Sequence, residues 1–85
     1  MRAMKERIKV ELLWTYEQSG QFSSETASLS LIVTPANIPD IFRYLVLKQM
    51  SDALLYASVA SGHKPTLREA MIAAEISAGQ LETIH

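Results

Sequence analysis

The chain has 85 residues, 48% of them hydrophobic and 20% charged, which is enough for one hydrophobic core and one domain. Eight basic residues against nine acidic ones leave a formal net charge of −1, so there is no strong electrostatic case for a nucleic-acid backbone or an anionic membrane. The absence of cysteine excludes disulfides, thiol catalysis and thiolate metal sites, and it fits a cytoplasmic protein.

At the N-terminus, Met1 to Val10 carries charge but no apolar centre of the kind a secretory signal has. Further on, no apolar run approaches the ~20 residues of a membrane-spanning helix. From Arg7 to Glu17 the sequence reads RIKVELLWTYE, with Ile8, Val10, Leu12, Trp14 and Tyr16 at alternate positions. That period of two, rich in β-branched and aromatic residues, predicts a strand over residues 6–17. A polar segment containing Gly20 follows, and alternation resumes through Ala27, Leu29, Leu31 and Val33, predicting a second strand over 25–34. A short connection makes an antiparallel hairpin the natural pairing.

Pro35 ends the second strand. Asn37 then reads as a helix N-cap, with Pro39 in the first turn and Asp40 at the positive end of the dipole. This predicts a long helix over 38–61, stopped by Gly62 and Pro65. Thr66 and Glu69 fit a capping box that opens a second helix over 67–80. The expected fold is thus a single α+β domain over residues 1–85, in the order β-β-α-α, with the hairpin packed on a long helix and a shorter C-terminal helix.

Placed on a helix, residues 38–61 are apolar nearly all round. Phe42, Leu45, Val46, Met50 and Ala53 share one face, and further apolar residues fill the others. A hairpin and one short helix cannot hide that much surface, so the reading expects a homodimer. Its interface is assigned to Ile41, Tyr44, Leu47, Leu54, Leu55 and Val59, joined by the Ile72 and Ile76 ridge of the last helix.

Signs of chemistry are few. His63 and His85 are the only histidines, no spacing pairs either with a second metal ligand, and Gly20, Gly62 and Gly79 are isolated rather than part of a phosphate-cradling loop. Glu75 and Glu82, seven residues apart, read as a solvated acidic face. No catalytic residue, cofactor or metal is therefore assigned. The basic residues Arg2, Lys5, Arg7 and Lys9 form a candidate phosphate-binding arm, and they equally suit a charged leader protecting a strand edge.

The stretch ASGHKPTLREAMIAAE, from Ala60 to Glu75, has a helix–turn–helix cadence, and with the strand before it loosely resembles ribbon–helix–helix DNA-binding dimers. The sequence departs from that family in the length of its first helix. It also has Ser28, Ser30 and Ile32 where base-reading basic or amide residues are expected, so membership is not assigned. The leading expectation is a small non-enzymatic protein-interaction module (adaptor, assembly factor or inhibitor) that acts as a homodimer on an unidentified protein partner. The alternatives are a nucleic-acid-binding regulator using the basic arm and a small enzyme with a site assembled across the dimer.

Overall fold

The computed structural model describes residues 9–49 and 56–83. Among these residues, five strands and one helix follow one another: β1 Thr15–Tyr16, β2 Phe22–Glu25, β3 Leu29–Pro35, β4 Phe42–Gln49, β5 Tyr56–Lys64 and α1 Leu67–Thr83. The strands form one antiparallel sheet in sequence order, a meander in which every strand pairs with its chain neighbour. The helix lies across one face of the sheet.

This architecture corrects the β-β-α-α reading. The helix expected over 38–61 is replaced by β4 and β5, and Asn37–Asp40 makes the turn between β3 and β4. Asp40 sits at φ 63°, in the left-handed region, where a right-handed helix cannot pass. Across that turn the Ala36 N–H donates to the Ile41 carbonyl at 2.9 Å. The apolar character that reads as an all-round buried helix belongs to a central strand. Phe42, Tyr44 and Val46 face the helix, while Arg43, Leu45 and Leu47 face the other way, so both faces of β4 carry apolar side chains.

The two N-terminal strands are also redrawn. Only Thr15 and Tyr16 of the first expected strand join the sheet, and residues 9–14 run as a strap without regular structure. The second expected strand is broken at Thr26, whose Oγ1 accepts hydrogen bonds from the Ser28 and Leu29 N–H groups and closes a tight turn between β2 and β3. A further turn joins β1 to β2. There the Gly20 N–H donates to the Glu17 carbonyl, and Gly20 adopts φ +96°, a conformation that side chains oppose.

The helix opens where the sequence marks it. Thr66 Oγ1 accepts from the Glu69 N–H at 3.1 Å and donates to the Glu69 carboxylate at 3.2 Å. Ala70, Ala74 and Ala78, four residues apart, form a fully buried stripe of small side chains that lets the helix settle closely on the sheet. Beneath it lie Leu31, Val33 and Val46, also fully buried. Tyr44 packs in the same layer beside Gly62, where an added Cβ would come within 2.7 Å of the Tyr44 hydroxyl.

Candidate functional site

Three regions outside the ordinary core gather polar groups. The first is Glu75, only 5% exposed although it carries a carboxylate. Its Oε1 accepts from the Glu11 N–H at 3.0 Å, and its Oε2 accepts from the Leu12 N–H at 2.9 Å and the Trp14 indole N–H at 2.8 Å. Val10, Leu12 and Trp14 of the same strap pack on the core. A buried carboxylate with this many donors is a fastening, because each N–H offsets part of the desolvation of the charge. The solvated face assigned to Glu75 from its spacing is therefore corrected. The available signal was Trp14, whose indole N–H needs an acceptor once it is buried.

Glu82, in the last turn of the helix, forms the second region. The hydroxyls of Thr26 and Ser28 both donate to its Oε2, the latter at 2.6 Å. These hydrogen bonds, Ser28 first and then Thr26, hold its carboxyl below the ordinary carboxylate value, against a weaker opposing effect of burial. Beside it lies an open depression of about 520 Å³ that reaches Lys48 and Val59.

The third region is the sheet face turned away from the helix. Strand alternation places Ser30, Ile32 and Thr34 of β3, Arg43, Leu45 and Leu47 of β4, and Ser61 and His63 of β5 on that face. Ile32 stands directly across from Leu45, and Ser30 from Leu47, giving an apolar strip at the centre. A depression of about 420 Å³ lies at one side, lined in part by Thr34, Ile38, Ile41, Arg43 and His63. Across the strip, a depression of about 680 Å³ at the β1–β2 margin brings together Glu11, Glu17 and Glu25, with no basic residue among the described ones. Glu17 is held there by the Ser23 hydroxyl at 2.6 Å and the Gln21 amide at 2.9 Å. On this face Glu17 and Glu25 lie on the β1–β2 side, while Arg43 lies on β4, the strand that also carries Leu45 and Leu47. Among the described residues, no helix or strand packs over this face.

The described residues of the expected interface are spread over several parts of the fold. Leu47 lies on the open face and Ile41 is half-buried at the entry to β4. Tyr44 is turned into the core, and Ile72 is 8% exposed and so buried within the chain itself. Val59 is the extra residue of a bulge in β5 (Val46 pairs with Ala60, and Leu47 with Ser58) and is 39% exposed, while Ile76 projects from the helix. Leu54 and Leu55 lie outside the described residues. Of the basic arm, only Lys9 is described, and it is exposed; Arg2, Arg7 and Lys5 lie outside. The helix–turn–helix cadence is not realised, since Tyr56–Lys64 is a strand. His63 is exposed on that strand, and no group of three metal-ligating side chains occurs among the described residues. Among the same residues, no helix is long and apolar enough to cross a membrane.

Compared with known proteins, the chain matches no family model, no curated protein and no solved structure.

Proposed function

We propose that the protein is a non-enzymatic interaction module that works by self-association and presents the resulting dimer to a protein partner. One observation carries this reading: among the described residues the sheet has a helix on one face only, and its other face holds Ile32, Leu45 and Leu47 under no described element. Monomeric proteins seldom leave such a surface to water. The β5 edge, nine residues long, adds a second surface, a row of backbone groups able to take up a further strand. The cysteine-free sequence supports a place in the cytoplasm.

Sedimentation velocity from submicromolar to several hundred micromolar concentration tests the reading. The expected result is a concentration-dependent shift from one chain to two. A particle of single-chain mass across the whole range overturns it.

A further inference from the structure

We infer that the depression beside the β3–β4 turn binds a small phosphate monoester, with its phosphate over Arg43 and its apolar part against Ile38 and Ile41. The inference goes beyond the self-association proposed above, and neither depends on the other. Thr34 pairs with Arg43 in the β3–β4 register, and Arg43 with His63 in the β4–β5 register, so the three form one row across three strands. Directly paired residues point to the same side of a sheet, and this row stands on the face turned away from the helix. Adjacent strands lie about 4.8 Å apart, so Thr34 and His63 flank Arg43 closely enough to share one small anion with it. Asn37 joins them from the turn in lining a depression of about 420 Å³. The turn itself is held in shape by the Ala36 N–H bond to the Ile41 carbonyl at 2.9 Å.

The chemistry of the lining selects the ligand. Arg43 offers a fork of N–H donors and a permanent positive charge, the imidazole and the amide each offer N–H donors, and Thr34 offers a hydroxyl. Among the described residues, none of these four side chains has a hydrogen-bond or ion-pair partner. No described carboxylate lines the depression, and Asp40, in the same turn, stands outside it. Free donors gathered around one cation suit an oxyanion. Because they come from three strands and a turn, they approach from several directions. That fits the three oxygens of a tetrahedral phosphate better than the two coplanar oxygens of a carboxylate. Ile38, 62% exposed, and Ile41 border the same depression and supply a wall for the apolar part of the ligand.

Amide NMR of the full chain at fixed ionic strength tests the site with three probes: inorganic phosphate, phenyl phosphate and benzoate. Phenyl phosphate is expected to give saturable shifts concentrated at residues 34–43 and at His63. It should bind about tenfold more tightly than inorganic phosphate, which lacks the apolar part, or benzoate, which lacks the tetrahedral head. Arg43→Gln is expected to weaken phenyl phosphate binding about tenfold or more, through loss of the charge-assisted hydrogen bonds. Arg43→Lys should fall between, since it keeps the charge and loses the fork. Arg43 is exposed, so both substitutions leave the fold intact, and the amides distant from the site check this in each spectrum. Lys48→Gln removes an exposed cation from the far end of β4 and is expected to leave binding unchanged. Shifts that never saturate, or an equal loss in Lys48→Gln, overturn the inference in favour of unspecific charge attraction. Benzoate bound as tightly as phenyl phosphate overturns the assignment to phosphate. These titrations are read on the chain in whatever oligomeric state it holds, so their failure leaves self-association to be decided by sedimentation.

Discussion

The two faces of the sheet are built from the same strands, and adjacent residues serve opposite purposes. On the helix side of β3, Leu29, Leu31 and Val33 are buried beneath the alanine stripe of the helix. One residue along, Ser30, Ile32 and Thr34 point to the other face and are only half-buried. The covered face also receives the N-terminal strap, fastened by three donors to Glu75. The open face instead carries Ile32, Leu45 and Leu47 under no described element. Burial is concentrated on one side of the sheet, so substitutions at neighbouring residues of one strand test the contrast between the faces.

The largest effect expected comes from Leu31→Ala. Leu31 is fully buried, and its truncation leaves a cavity under the helix, at a cost of about 2–5 kcal/mol. Ile32→Ala removes similar atoms from the opposite face of the same strand and should cost about 1 kcal/mol or less, since water already reaches that site. Urea unfolding followed by Trp14 fluorescence, at concentrations too low for association, compares the two. Equal losses would mean that the open face is packed within a single chain, and the contrast between the faces would fail.

Glu75→Gln tests the strap, and its expected loss is smaller, about 2–3 kcal/mol. The glutamine carbonyl still accepts a hydrogen bond, but its amide nitrogen faces an N–H donor where a carboxylate oxygen stood, leaving that donor unpaired in a part-buried site. Trp14 emission should move to the red as the indole gains water, and amide exchange at Glu11 and Leu12 should quicken. Unaltered exchange there would show that apolar packing of Val10, Leu12 and Trp14 alone holds the strap.

How much of this was legible in the sequence depends on whether the signal was local. The capping box at Thr66 and Glu69 states its own geometry within four residues, and the helix begins there. The residues Asn37, Pro39 and Asp40 fit a helix start as well as a hairpin turn, and only the left-handed backbone at Asp40 distinguishes them. Residues 42–47 misled for a physical reason: a central strand with apolar side chains on both faces has no polar side, so its period of two is masked. Its neighbour β3 kept its alternation because Ser30 and Thr34 make one of its faces polar, whereas the bulge at Val59 interrupts the period in β5. Glu75 was unreadable by spacing, since its donors lie more than 60 residues away in the chain. The juxtaposition of Arg43 and His63 was equally hidden, because they lie 20 residues apart and stand across from each other only through the β4–β5 pairing.

The smallest expected effect concerns the corner where the helix ends over the β2–β3 turn. A carboxylate in the last turn opposes the negative end of the helix dipole, so Glu82 depends on the Thr26 and Ser28 hydroxyls to hold it. Because those bonds depress its folded pKa, the folded state binds this proton less readily than the unfolded chain does. The resulting stability is fully present above the ordinary carboxylate value of 4.5 and is lost as pH falls through the depressed one. Glu82→Gln removes this contribution, so wild type and variant should differ at neutral pH and converge as the medium is acidified below 4.5. Solvent screening at this exposed corner keeps the difference below the other two. Urea midpoints for both chains between neutral pH and the acid limit provide the check. A gap that stays constant down the series would mean that Glu82 acts through packing alone, and the charge at the end of the helix would then have no part in holding the covered face together.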